Sequence, residues 1–249
     1  MPKVFIILAL VTCSIFGWMF YQYKTQQSEL SQLKEYQQVL YQNAESIYAQ
    51  AQDWTQPIHV NISDQNLQGD YKIMANFILN DMIQNAEARN QYLRELKAID
   101  WDKFLNIERL DRDRSQNFIE TQRMLAQAHA LANQYQQQIK QHQERTLEQS
   151  QKLNIKPRLR YQLAESLDES RSNDQTHTIF TLELQILRQA DALFELLKNS
   201  QWQKKGRTFM FYDDAALKRF NVLYQQVLQL NAEIDKVKKQ NRKALEQQF

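Results

Sequence analysis

Glycine and proline are scarce in this chain, which has only 3 of each in 249 residues. These residues form most tight turns, and together they average roughly 12% of globular sequences. Their scarcity excludes sandwiches, barrels and propellers, which need many turns. Gly17, Gly69 and Gly206 stand far apart, so the glycine-rich loops that bind nucleotide phosphates are also missing from the sequence.

Residues for catalysis and metal binding are few as well. The net charge is only +2, which gives no sign of a nucleic-acid partner. The single cysteine excludes a disulfide within one chain. No histidine belongs to a His-x-x-x-His or Glu-x-x-His pair of the kind that holds zinc. We therefore expect no cofactor, no metal and no enzymatic activity.

The N-terminus contains the longest apolar run. Val4 to Tyr21 carries no charge, and as a helix it spans about 27 Å, close to the roughly 30 Å hydrocarbon core of a bilayer. Lys3 and Lys24 flank the run. The pattern predicts an uncleaved signal-anchor helix over residues 1–22. Two alternatives stay open: a cleaved signal peptide, and a lipoprotein signal that ends at Cys13.

The orientation of this anchor is predicted from the order of the segments. Positive charges on the two sides of the apolar run are almost equal in number, so they do not choose between orientations. A first apolar segment with a very short preceding tail most often exports the chain that follows it. We predict a single-pass protein of a bacterial inner membrane, with residues 23–249 in the periplasm. The reverse topology, with a cytoplasmic bundle, is the alternative.

The rest of the chain is predicted to be all-α, an elongated antiparallel helical bundle with coiled-coil-like seams. Breaker residues divide it into five helices, at about 23–52, 70–98, 101–153, 157–200 and 213–247. The longest irregular segment lies between the first two helices and contains the β-branched residues Ile58, Val60 and Ile62.

Apolar residues recur with helical spacing in three of these helices. In the last helix the spacing alternates between three and four residues, which defines a packing seam of Phe220, Leu223, Val227, Leu230, Ile234, Val237 and Asn241. The third helix has such a row at Phe118, Thr121, Leu125, Ala128, Ala132, Tyr135 and Ile139, and the fourth at Ile179, Leu182, Ile186, Ala190, Leu193 and Leu197. We predict that these rows pack within one chain. The alternative is an intermolecular coiled coil through the last helix.

The predicted helix lengths suggest which turns face the membrane. In an up-and-down bundle on the anchor, the turns after the second and fourth helices return to the bilayer. The residues predicted to contact lipid there are Trp101, Trp202, Lys204, Lys205, Arg207, Phe209 and Phe211. Alternatively, the aromatic residues close the end of the bundle while the cations stay solvated. The basic turn at Lys156, Arg158 and Arg160 is predicted at the membrane-distal end.

Two polar features receive structural interpretations. The run from Glu108 to Arg114 alternates in charge, and we interpret it as a solvated helix face with weak i,i+4 pairs. His142 continues the apolar row of the third helix, so we expect a polar layer there and not a metal ligand.

The functional hypothesis follows from long helices without a catalytic constellation. We predict a membrane-anchored scaffold or assembly protein of the cell envelope that acts through contacts with another envelope protein or a second copy. The alternative is a ligand-sensing or ligand-binding ectodomain, without catalytic activity, that signals through a partner subunit.

Overall fold

The structure, a computed structural model, describes residues 27–62, 67–172 and 175–247, with side chains over 31–62, 67–168 and 178–240. It is 80% helical, which confirms the prediction of an all-α class. No helix within these ranges is long and apolar enough to cross a bilayer. The predicted membrane segment, residues 1–22, lies outside the described residues.

Seven α-helices, a 3₁₀ turn and one β-hairpin make up the described chain. The helices are α1 (Gln27–Ala51), α2 (Gly69–Ala98), α3 (Ile107–Arg114), α4 (Ile119–Lys152), α5 (Pro157–Ser172), α6 (Gln175–Asn199) and α7 (Asp214–Gln247). The 3₁₀ turn spans Trp101–Lys103, and the hairpin strands are β1 (Trp202–Lys205) and β2 (Thr208–Phe211). The hairpin occupies the turn predicted between the fourth and fifth helices.

The predicted third helix, 101–153, is interrupted, and that prediction was wrong. The side chain of Asn106 accepts a hydrogen bond from the backbone N–H of Arg109 and so caps the start of α3. Asn117 and Phe118 then adopt left-handed backbone angles, with φ of 57° and 59°. Two consecutive left-handed residues end a right-handed helix, and α4 therefore starts only at Ile119.

The structure divides into two compact units. Unit 1 contains Tyr92–Gln134 and His177–Val237. Unit 2 contains the described residues up to Gln91, together with Tyr135–Thr176 and those from Lys238 onward. This division is absent from the prediction of one helical region over residues 23–249.

In unit 2 the first two helices run in the same direction. Near the start of both helices the ring of Tyr36 lies 5.5 Å from the ring of Tyr71. Towards the other end, the side chain of Gln50 exchanges two hydrogen bonds with the backbone of His59. The next contact is the backbone N–H of Ile58, which donates to Glu87 at 3.3 Å. Residues 36 to 50 of α1 therefore lie alongside residues 71 to 87 of α2.

This parallel arrangement overturns the antiparallel first turn that the helix-length argument assumes. From Asp70 to Glu87, α2 runs in the same direction as α1, away from the start of α1. The prediction that the Trp101 turn returns to the bilayer required α2 to run the other way, so it no longer has support. The turn before α5 lies instead beside the start of α2, because the backbone N–H of Lys156 donates to Asp70 at 3.2 Å. The basic turn therefore lies at the end of unit 2 where α1 begins.

α4 does run antiparallel to α2 inside unit 2. His142 Nε2 lies 2.8 Å from Asp81 Oδ1, and Thr146 donates to the same oxygen at 2.7 Å. Earlier on α4 and later on α2, the guanidinium of Arg89 lies 5.5 Å from the centre of the Tyr135 ring. These contacts confirm the polar layer predicted at His142.

The Tyr36 hydroxyl is a buried polar group without compensation. The side chain is fully buried in the core between α1, α2 and α5, and its hydroxyl has no hydrogen-bond partner in the described part of the chain. Burial raises the pKa of this phenol well above its usual value, and the neighbouring Tyr71 raises it further. The folded chain therefore holds Tyr36 in its neutral form.

We expect Tyr36→Phe to increase the free energy of unfolding by about 1 kcal/mol, because it removes a buried hydroxyl that lacks a partner. Above pH ~10, tyrosine ionises in the unfolded chain but Tyr36 stays protonated in the folded chain, so this term destabilises the protein as the pH rises. Tyr36→Phe should therefore flatten the alkaline loss of thermal stability, measured by circular dichroism. Tyr161→Phe, at a side chain that is 67% exposed, is the control and should change neither quantity.

Candidate functional site

The β-hairpin of unit 1 forms a small two-stranded platform at the start of α7. Trp202 pairs with Phe211 and Lys205 pairs with Thr208, which leaves Gly206 and Arg207 as a two-residue turn. Gly206 has a φ of 61°, a left-handed angle that suits glycine at the first position of a type II′ turn. Such turns match the twist of paired strands, so this one glycine determines the register of the hairpin.

Trp202 fastens the hairpin to the rest of unit 1. Its side chain is only 2% exposed, and its indole N–H donates to the carbonyl oxygen of Leu197 at 2.8 Å. The guanidinium of Arg114 lies 4.5 Å from the ring centre and also donates to the Trp202 carbonyl oxygen. This burial makes Trp202 an internal packing residue, although the sequence analysis places it among the lipid contacts.

A buried polar network holds the junction between α3 and α4, next to Arg114. One oxygen of the Asp113 carboxylate accepts from the backbone N–H and the hydroxyl of Thr121, at 2.8 and 2.6 Å. The other oxygen accepts from the Glu120 backbone N–H at 3.0 Å. Arg109 donates to the Thr121 hydroxyl at 2.9 Å and to the Phe104 carbonyl at 2.6 Å.

The interpretation of residues 108–114 as a solvated helix face was therefore wrong for two of its charges. Arg109 is 4% exposed and Asp113 is 2% exposed. Both charges are tolerated because each one makes three hydrogen bonds and the two side chains lie 3.7 Å apart. The charge pattern alone carries no signal for this, since an alternating run looks the same on a solvated helix. Glu108 does stay exposed, where it faces Lys204 at 3.9 Å.

Aromatic rings lead from Trp202 to the surface of α7. Phe209 lies 5.1 Å from the Trp202 ring and 5.1 Å from the Phe220 ring. Phe211 lies 5.3 Å from Phe220, which stacks on Tyr224 at 6.1 Å. Burial decreases along this series: Trp202 is buried, the phenylalanines are half-buried and Tyr224 is exposed.

Exposed apolar side chains concentrate on the hairpin and the first half of α7. Of the eight exposed large hydrophobic residues among the described side chains, six lie between positions 210 and 228. They are Met210, Tyr212, Leu217, Val222, Tyr224 and Leu228. We call the exposed part of residues 204–228 the hairpin surface. Leu217, Tyr224 and Leu228 recur at spacings of seven and four, so they share one face of the helix.

The basic residues of the predicted lipid-contact set belong to this surface. Lys204, Lys205 and Arg207 are exposed at the hairpin turn. Phe209 and Phe211 are half-buried on the strand face that meets Phe220. Neighbouring strand residues point to opposite faces. Phe209 and Phe211 therefore share one face, with Lys204 paired to Phe209 at its edge, whereas Lys205 and Met210 lie on the other face. The contact with lipid stays a prediction.

Trp101 takes a different position from the other predicted contacts. Its half-buried ring packs at a tilt against Phe104, with a centroid distance of 4.9 Å, on the turn between α2 and α3. The contacts with the hairpin come from later residues: Glu108 faces Lys204, and Arg114 donates to the Trp202 carbonyl oxygen.

The packing seam of α7 is incompletely covered. Ala216 and Ile234 are buried, at 7% and 4% exposure. The five seam residues that are only half-buried are Phe220, Leu223, Val227, Leu230 and Val237. The side chain of Asn241 lies outside the described residues. This partial burial leaves the choice between an internal and an intermolecular seam as a prediction.

Ionisable groups elsewhere form isolated pairs. His129 lies 2.9 Å from Asp191, with both side chains more than 40% exposed. Across the ranges whose side chains are described, no three histidine, cysteine or acidic residues stand close enough together to hold a metal ion.

We expect Asp113→Ala to destabilise the folded chain by about 3–5 kcal/mol, because it removes the buried partner charge of Arg109 and leaves only the exposed carboxylate of Glu120, at 3.5 Å, beside it. The control is Asp111→Ala, two residues earlier, which removes a half-exposed ion pair with Arg114 and should cost less than about 1 kcal/mol. Urea unfolding followed by circular dichroism measures both. Equal losses for the two variants would contradict the structural role of Asp113.

No protein-family model matches this chain. Neither a curated protein nor a solved structure matches it. The contacts and surfaces of the two units therefore carry the functional argument by themselves.

Proposed function

We propose that this protein is a single-pass scaffold or assembly factor of the bacterial inner membrane, with its helical region in the periplasm. The hairpin surface is its docking site for another envelope protein. The observation that carries this proposal is the concentration of six exposed large hydrophobic residues between positions 210 and 228. Clustered apolar groups on the surface of a folded protein usually mark an interaction site.

The composition of the hairpin surface suits a protein partner. Aromatic residues, methionine and arginine are enriched in protein–protein interfaces, and Tyr212, Tyr224, Met210 and Arg207 provide them here. Between residues 204 and 228 the sequence has five cations and only two carboxylates, Asp213 and Asp214. The partner surface is therefore expected to be apolar at its centre and acidic at its edge.

The buried joint behind the hairpin also supports a docking role. Trp202, Arg114 and the Asp113 network hold the hairpin in one orientation. A rigid surface loses little conformational entropy when it binds a partner, which favours affinity. We further propose that the long helices form a bundle with coiled-coil-like seams, in which α2 and α4 are antiparallel. The predicted membrane anchor holds this bundle at the inner membrane.

The test is affinity purification of the full chain from its native membrane in mild detergent. Leu217→Ser together with Leu228→Ser should remove the co-purifying protein, because both side chains are exposed and belong to one helix face. The free energy of unfolding should stay within about 0.5 kcal/mol of that of the unaltered chain, since these surface substitutions remove few contacts inside the chain.

Ile119→Ser is the matched control, because Ile119 is also exposed in unit 1 but lies outside the hairpin surface. This variant should keep the partner. A partner that stays bound to the Leu217/Leu228 variant would overturn the docking site. Recovery of the unaltered chain as a detergent-bound monomer would overturn the scaffold function itself.

A ligand-binding ectodomain is the second candidate, and buried polar atoms favour it. The Gln32 Oε1, Tyr36 hydroxyl and Gln162 Oε1 atoms are buried without a hydrogen-bond partner in the described residues of unit 2. Buried polar atoms of this kind are often satisfied by a bound molecule. Native mass spectrometry of the purified chain tests this candidate. A small molecule that is retained by the unaltered chain and lost in the Tyr36→Phe variant would support it.

A further inference from the structure

The basic turn before α5 lies at the end of unit 2 that is joined to the predicted anchor. We propose that this end of unit 2 rests on anionic phospholipid headgroups. The proposal depends on the membrane anchor of the proposed function, and it adds the face of the protein that meets the bilayer and the lipid class that this face recognises.

The first step is the length of chain between the anchor and this end. The predicted apolar run ends at Tyr21 and α1 begins at Gln27, a separation of six residues that cannot exceed about 22 Å. Tyr36 lies nine residues into α1, about 14 Å along the helix. Its contact with Tyr71 marks the end of unit 2 nearest to the anchor along the chain.

The second step is the position of the basic turn. The backbone N–H of Lys156 donates to Asp70, one residue before Tyr71. Arg160 donates to the Leu153 carbonyl oxygen at 3.2 Å, so this hydrogen bond connects the two sides of the turn. The turn is therefore held against the same end of α2 that meets the start of α1.

The third step is the charge of this end. Its described cations are Lys34, Lys72, Lys152, Lys156, Arg158 and Arg160, and its described carboxylates are Glu35, Asp70 and Glu148. Arg158 is exposed, as is the side chain of Lys152, which pairs with Glu148. Each cation near an anionic membrane gains roughly 1 kcal/mol, and an exposed tyrosine favours the headgroup level. Tyr161, at 67% exposure, provides such a ring beside the turn.

The opposite end of unit 2 has the contrary chemistry. The first part of the segment after α1, residues 52–59, lies at that end, contains no lysine and no arginine, and carries Asp53. An anionic surface would repel that end and attract the basic one. The short connection to the anchor and the distribution of charge thus both indicate that the basic end of unit 2 faces the membrane.

The experiment uses the full chain with Cys13→Ser, reconstituted in vesicles with or without an anionic phospholipid and containing a nickel-chelating lipid headgroup. A single nitroxide is attached at Tyr161→Cys or, as the control, at Gln56→Cys, which is exposed on the opposite end of unit 2. We expect several-fold stronger relaxation by nickel at position 161 than at position 56, and a further increase when anionic lipid is present.

A charge variant tests the lipid class. Replacing Lys152, Lys156 and Arg158 with Gln should lower the relaxation at position 161 in anionic vesicles to its value in neutral vesicles. The matched variant, with Lys204, Lys205 and Arg207 replaced by Gln, removes the same number of cations from the hairpin surface. It should leave the signal at position 161 unchanged.

The outcomes separate the two proposals. Protein that fails to float with either kind of vesicle lacks the anchor, which overturns the proposed function. Protein that floats but shows stronger relaxation at position 56 keeps the anchor and overturns the orientation. Equal relaxation at position 161 in neutral and anionic vesicles overturns the lipid preference. A position 161 that is remote from both kinds of vesicle overturns the contact and leaves the basic end for an acidic protein.

Discussion

The hydrogen bonds to the Asp113 carboxylate determine the arrangement of the region from α3 to the hairpin. One side chain accepts from Thr121 twice and from Glu120 once, which caps the first turn of α4. The cap compensates for two left-handed residues at Asn117 and Phe118, whose backbone angles are unfavourable for residues other than glycine. With the junction held in this way, Arg114 reaches Trp202 and fastens the hairpin.

Helical periodicity depends only on local spacing, and it predicted burial best in the third helix. Its row is buried from Phe118 to Tyr135, at 6% exposure or less, and half-buried at Ile139. The break inside the predicted third helix was not predictable in the same way. Asn117 carries only a weak turn preference, and the left-handed conformation is stabilised by Asp113, whose carboxylate reaches the first residues of α4 from the preceding helix. The hairpin surface was also only partly predictable. The sequence identified its basic and aromatic residues, but the face on which each one lies depends on the pairing of the two strands.

The direction of α2 relative to α1 depends on the connecting segment, and here the sequence contained a signal. Ile58, Val60 and Ile62 alternate with polar residues, a pattern typical of extended chain. In the structure Ile58 is buried and His59 is exposed, which follows this alternation. An extended segment of this length can run back along a helix and start the next helix at the same end. Short connections favour antiparallel neighbours, but a long extended one permits parallel neighbours.

The two proposed contact regions differ in physical character, and this difference has consequences. The hairpin surface combines apolar side chains with a basic edge, so its binding depends mainly on removing apolar area from water and only partly on charge. The basic end of unit 2 exposes one tyrosine among cations and depends on long-range attraction to anionic headgroups. At physiological ionic strength salt screens such attraction beyond about 8 Å, whereas this screening does not weaken hydrophobic contact. A protein with both regions can therefore keep its partner under ionic conditions that weaken its contact with the membrane surface.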